Sequence, residues 1–260
     1  MTMHFERHGS GTPLLLVHGL GSSLRTWDPI MPALTAGREV TAVDLPGFGN
    51  TPPLIGPVTI GTLTDTVERF IESEDLQDTA LVGSSMGARI VLELARRGHS
   101  GSTVSLDPGG FWTDRQRLIF GTSITASVAL VRAIQSALPF LTGTAIGRSA
   151  LLAQFSAKPW QLDPGLVLTE LQGFASSPGV DEARRSLIEG PTQQGAPAGS
   201  LSGNVVIGWG RRDRVTFPSQ AATAQQRFPD ATLHWFEESG HFPHWDQPAE
   251  TARLILDSTS

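Results

Sequence analysis

The pentapeptide Gly83-Ser84-Ser85-Met86-Gly87 restricts what this chain can fold into more than any other feature. It follows an apolar run, Ala80-Leu81-Val82. It precedes a helical stretch at residues 88–97 in which Ile90, Val91, Leu94 and Ala95 share one face. A G-x-S-x-G sequence between strand and helix forms a sharp turn that lifts the serine hydroxyl clear of the backbone, and the glycines let the chain pass without a Cβ clash. The helix start also favours negative charge beside that hydroxyl. The bland alternative is a Gly/Ser-rich turn that begins a helix, with Ser84 or Ser85 as its N-cap. The strand–turn–helix context favours Ser85 as a nucleophile.

The pattern on either side agrees with a parallel sheet. Residues 14–17, 40–43, 80–82 and 103–106 are continuous apolar or β-branched runs, as strands buried on both faces should be, and longer helical stretches separate them. Each run ends in a Gly- or Asp-bearing loop: HGLG, DLPGFG, GSSMG and DPGG. In an open parallel sheet such loops gather where ligands bind. After Pro108 the strand rhythm stops, and residues 111–190 read as several helices. Ile124, Val128, Val131, Ile134 and Leu138 form the stripe of one helix, which Pro139 is expected to end. A polar linker at residues 191–203 leads to two further strands at 204–209 and 232–236. The expectation is an α/β fold with a mostly parallel central sheet flanked by helices. Residues 1–110 and 200–260 form its core domain, and residues 111–199 form a helical cap and linker.

A serine hydroxyl is weakly nucleophilic until a base takes its proton. His241 lies in the loop EESGHFPHWDQP, where Gly240 gives freedom to aim it; His244, three residues on, is the rival. The acid that orients the imidazole is assigned to Asp213, in GWGRRDRV after a strand, giving the chain order Ser85, Asp213, His241. Asp107, at the end of an earlier strand, competes for the role. The oxyanion needs two backbone N–H donors, for which Leu20 and Met86 are placed best. His18 reads as structural support for the loop that carries Leu20.

Several classes are disfavoured. The 260 residues carry a formal net charge of −6 and no basic run, only the Arg pairs at 96/97, 184/185 and 211/212, so a nucleic-acid partner is not expected. With no cysteine there is no thiolate metal site, and the histidines lack a third ligand at a recognised spacing, so no metal is expected. Gly19-x-Gly21 imitates a dinucleotide fingerprint but meets Leu24 where the third glycine belongs, so no cofactor is expected. Residues 118–141 are the most apolar stretch, yet Gly121, Arg132 and Gln135 interrupt it, which reads as a soluble amphipathic helix and not a membrane span. Residues 1–13 lack the pattern of a secretory signal, and a cytoplasmic location is the expectation.

Taken in order, LLLVHGLGSS, TAVDLPGFGNT, LVGSSMGA, GWGRRDRV and SGHFPHWDQP resemble the α/β-hydrolase superfamily over nearly all of the chain outside the cap. The resemblance implies catalytic roles for Ser85, Asp213 and His241, and an oxyanion hole at Leu20 and Met86. Ala88 departs from the pattern of many relatives, which carry a glycine there. A serine at 85 argues against the branches that use a carboxylate nucleophile. The substrate implied is a small apolar ester or lactone, with a vinylogous diketone cleaved at a carbon–carbon bond as the alternative. A cofactor-free perhydrolase and an inactive binding protein are further alternatives. Phe111 and Trp112 follow the DPGG loop and are the cap residues expected to line the pocket.

Overall fold

In the computed structural model, which describes residues 3–259, a single sheet is built from β1 (Phe5–Gly9), β2 (Thr12–Val17), β3 (Arg38–Val43), β4 (Ala80–Ser84), β5 (Thr103–Leu106), β6 (Val205–Gly210) and β7 (Thr232–Phe236). Met1, Thr2 and Ser260, which the domain bounds above include, lie outside the described residues. The strand order is β1-β3-β2-β4-β5-β6-β7. All neighbours are parallel except β1, which pairs antiparallel with β3 in the register Phe5 opposite Val43.

The helices that cover the sheet are α1 (Met31–Thr35), α2 (Ile60–Ser73) and α3 (Met86–Arg96). Between β5 and β6 the chain inserts α4 (Asp114–Ala133), α5 (Leu138–Gly143), α6 (Ala145–Leu152), α7 (Pro164–Ser176) and α8 (Val180–Glu189). It then returns through α9 (Ala221–Arg227), α10 (Pro243–Asp246) and α11 (Pro248–Ser258). The run Leu14-Leu15-Leu16-Val17 is fully buried, and its period of two feeds both faces of the sheet. Leu14 and Leu16 pack on one side with Trp27, Ile30 and Leu34; Leu15 and Val17 pack on the other with Met86, Ile90 and Val91.

Three local expectations are corrected. The predicted stripe through Leu138 is not one helix: α4 stops at Ala133, Ile134 caps it, and a short 3₁₀ turn intervenes. Pro139 does not end that helix but sits in the first turn of α5, where an N–H has no partner to lose. Met86, and not Ala88, opens α3. Among the described residues no single helix is long and apolar enough to cross a membrane. Asp114–Ala133 and Gln135–Gly143 reach that composition only together and are bent by 69°.

Helix α3 presses on the end of β2 at Gly87, where a Cβ would sit 2.2 Å from the Val17 carbonyl oxygen and 2.5 Å from that of His18. Backbone cannot step aside as a side chain can. Gly87→Ala should therefore lower stability by at least about 2 kcal/mol, or about 4–8 °C of melting temperature for a chain of this size. Gly61→Ala, whose new methyl meets nothing closer than 3.6 Å, should melt at or above the parent temperature. Equal melting of the two variants would show that α3 does not press on β2 as described.

Candidate active site

The serine is set by its backbone. Ser85 has φ 55° and ψ −109°, a conformation that costs roughly 1–3 kcal/mol in a residue with a side chain, while its N–H continues the sheet ladder to the Leu106 carbonyl at 2.9 Å. Met86 follows as the first helical residue, so its N–H has no intrahelical acceptor. The loop after β2 lies against the serine, close enough that a Cβ on Gly19 would be 3.1 Å from that of Ser85. Leu20 is the next residue. Among the described residues the backbone N–H groups of Leu20 and Met86 have no partner within the chain.

His241 Nε2 accepts from Ser85 Oγ at 2.8 Å, and Nδ1 donates to Asp213 Oδ2 at 2.8 Å. Both His241 and Asp213 are buried. Asp213 also accepts from the N–H of Val215 at 2.7 Å, the N–H of Thr216 at 3.0 Å and the Thr216 hydroxyl at 2.6 Å. A carboxylate only accepts, so the proton of the neutral imidazole stays on Nδ1 and the Nε2 lone pair faces the serine. The arrangement can take a proton from Oγ and return it elsewhere. Asp107, Asp213 and His241 hold ligand-type atoms within 4.8 Å of one another, but hydrogen bonds already occupy Asp213 and His241 Nδ1.

The rivals are placed elsewhere. Asp107 lies beside Asp213, accepts from the Gly210 N–H at 2.8 Å and leaves Oδ2 without a partner. Burial, and then the neighbouring Asp213, push its acid well above the usual carboxylate range. His244 Nε2 bonds the Thr26 hydroxyl at 3.1 Å, its ring lies against Trp27, and burial lowers it to about 3. It is a neutral core histidine. His18 donates from Nδ1 to the Gly19 carbonyl at 2.7 Å and accepts the Leu45 N–H on Nε2 at 2.9 Å, with burial lowering its pKa. It ties the loop after β2 to the loop after β3, and its contacts are structural.

The cap residues require a correction. Phe111 packs edge-on to Phe228 and against Trp209, beneath α9, and Trp112 stacks on Phe120 at 4.8 Å. Neither is among the residues that wall the cavity bordered by Leu20 and Phe242, and the buried Arg89 lies over Trp112 instead. That cavity, about 40 Å³, is walled by Leu20, Ser22, Phe155, Glu170, Phe174, Phe242 and Trp245. Sequence reasoning missed three further residues: Thr216, which grips Asp213; Glu170; and Asp246. The Asp246 carboxylate accepts from the Gly240 N–H at 2.7 Å and the Ala157 N–H at 2.8 Å, tying the histidine loop to the cap. A hydrophobic neighbourhood in a helix reads as core, so only the GHFPHWD clustering offered a signal.

The sequence matches the profile described as the alpha/beta hydrolase family over residues 14–254. It is 33% identical, over 97% of its length, to the dihydrolipoyllysine-residue acetyltransferase component of the acetoin cleaving system of Pseudomonas putida, and spans 65% of that protein. Among solved structures it superposes on a thermophilic esterase from Thermogutta terrifontis with a TM-score of 0.75 at 20% identity, covering 98% of this chain and 92% of that one. The enol-lactonase from Burkholderia xenovorans LB400 gives 0.76 at 17% identity, covering 98% and 95%.

The burial of His244 has a measurable consequence. Its folded pKa of about 3 lies below the ordinary 6.5, so as pH falls through 6.5 the unfolded chain takes up a proton that the folded chain refuses. The contribution of His244 to stability is thus complete above pH 6.5 and drains below it. The difference in unfolding free energy between the parent and His244→Gln should shrink from pH 7 to pH 5, by up to about 1.4 kcal/mol for each unit below 6.5. A difference independent of pH would mean that His244 charges freely in the fold.

Proposed function

The chain belongs to the α/β-hydrolase family, and from that premise we propose that it hydrolyses a small ester or lactone through an acyl-enzyme intermediate on Ser85. The observation that carries the reading is the unbroken line of hydrogen bonds from Ser85 Oγ to His241 to Asp213, 2.8 Å at each step. Ser85 Oγ attacks the carbonyl carbon while His241 Nε2 takes its proton, and Asp213 stabilises the imidazolium. The carbonyl oxygen becomes an oxyanion that accepts from the Leu20 and Met86 N–H groups. Collapse breaks the ester C–O bond, and His241 returns the proton to the departing alkoxide. Water then enters, gives a proton to His241 and attacks the acyl carbon, so the acid leaves and Ser85 regains its proton. With a lactone, alcohol and acid leave as one hydroxy acid. The cavity of about 40 Å³ holds two or three waters, which suits a short acyl group.

The test is turnover of short nitrophenyl esters and small lactones, with labelling by a fluorophosphonate. Ser85→Ala and His241→Ala should each lower kcat by at least about a thousandfold, with the double variant little worse, because the two act as one proton-transfer unit. Asp213→Asn should be comparably severe, since an amide can present the wrong group to Nδ1. Asp107→Asn should stay within about tenfold of the parent, since Asp107 stands outside the line of hydrogen bonds from Ser85 to Asp213. A parent that takes no label and consumes neither esters nor lactones would sink the reading. Cleavage confined to vinylogous diketones would move the reaction to a carbon–carbon bond.

A further inference from the structure

The cavity beside Ser85 is walled mainly by hydrocarbon and aromatic side chains, yet α7 sends a carboxyl into it. Glu170 is only 8% exposed, and its Oε1 has no hydrogen-bond partner among the described residues. The Ser22 hydroxyl is the polar group that faces it. A carboxyl oxygen sealed among Phe155, Leu171, Phe174, Phe242 and Trp245 is costly unless something fills its valence. No salt bridge holds it there. Leu20 and Phe242, the chain neighbours of Gly19 and His241, border the same cavity, which sets it next to the segments that meet Ser85. Trp245 lines both this cavity and a wider outer cleft of about 580 Å³ that includes Arg25, Asp28 and Thr169.

Resting on the reading of Ser85 as nucleophile, we propose that Glu170 is a specificity-determining residue that hydrogen-bonds a hydroxyl on the acyl chain, making short hydroxyacyl esters or lactones the substrate class. Burial first, and then Asp28, push the Glu170 acid up to about 8, so near pH 7 it is mostly neutral. A neutral acid donates through O–H and accepts at its other oxygen. A hydroxyl does the same, and the two match as donor–acceptor pairs. A cationic head would find aromatic walls, but a mostly neutral carboxyl offers it no counter-charge. Rejection of the apolar isostere follows from the same geometry: a methyl placed against Glu170 leaves the buried carboxyl oxygen unpaired.

The experiment measures binding to the Ser85→Ala protein by calorimetry and turnover by the parent. The probes are methyl 3-hydroxybutanoate in both enantiomers, its isostere methyl 3-methylbutanoate, and acetylcholine. Ser85→Ala should bind one hydroxy ester at least about tenfold more tightly than the isostere. Glu170→Leu in that background should erase or reverse the order, and Glu170→Gln, which keeps a donor and an acceptor, should retain part of it. Melting of each variant within a few degrees of its parent shows that the fold is kept. Equal affinities, no measurable binding, an unchanged order in Glu170→Leu, or tightest binding of acetylcholine would each overturn the assignment. If the binding order holds while the parent hydrolyses none of the probes, ester hydrolysis falls and the hydroxyl site stands. If the parent hydrolyses both methyl esters at equal kcat/KM and binding shows no order, the hydroxyl site falls and hydrolysis stands.

Discussion

The backbone of Ser85, at φ 55°, is fixed from three sides. Its N–H is bound to Leu106 across the sheet, Gly87 rests on the carbonyls of Val17 and His18, and a Cβ at Gly83 would meet the Gly87 carbonyl oxygen at 2.3 Å. A strained residue persists only where its surroundings allow nothing else. Here the surroundings are β2, β4 and β5, the centre of the sheet. The same packing that stabilises the core therefore aims the hydroxyl, and it brings the loop after β2 alongside the serine. Asp107 at the end of β5 has φ 49°, so adjacent strands each end in a left-handed residue that turns a functional group out of the sheet.

Electrostatics then decides which of the groups gathered there is charged. Two carboxyls side by side in a buried pit cannot both ionise cheaply. Asp213 gains three donors from Val215 and Thr216 besides the imidazole, whereas Asp107 has one backbone N–H. The donors therefore gather on Asp213, which faces His241, and not on Asp107. His18 and His244 stay neutral for the same reason of burial. His241 differs from them only in having a carboxylate on one nitrogen and a hydroxyl on the other, and that pairing assigns its tautomer.

Much of this was legible in the sequence because it rests on local chemistry. The buried strands announced themselves as apolar runs, and G-x-S-x-G needed only its flanking strand and helix. The choice of Asp213 over Asp107 was left to chain order, because what separates them is the count of donors each meets in three dimensions. Strand β1 was missed: FERHG is at most half-buried, with Phe5 against Phe70, and is held by backbone pairing with β3. Phe111 was misread because nearness to DPGG in sequence was taken for nearness to the serine, whereas Gly110, at φ 92°, turns the chain toward α9. Glu170 gave no signal, since a glutamate in TELQGF reads as a solvated helix face. Its burial is a property of the cap resting on the sheet domain.

That seating also defines what the cap is. At its roots, Arg89 from α3 donates to the Pro191 carbonyl at 2.9 Å and lies over Trp112, and the Gln193 N–H bonds the Gly110 carbonyl at 2.9 Å, so both ends of the insertion meet one buried guanidinium. At its far side, the His241 N–H donates to the Phe155 carbonyl at 2.7 Å, Asp246 receives the Ala157 N–H, and Gly240 passes so near that a Cβ would touch the Phe155 carbonyl oxygen at 2.7 Å. This cap cannot swing at residues 155–157 without pulling on the loop that carries His241. Trp245 borders both the cavity and the wider cleft that Leu166 and Thr169 line. The cap thus supplies Phe155, Glu170 and Phe174 to the cavity wall while its residues 155–157 hold the loop of His241 in place.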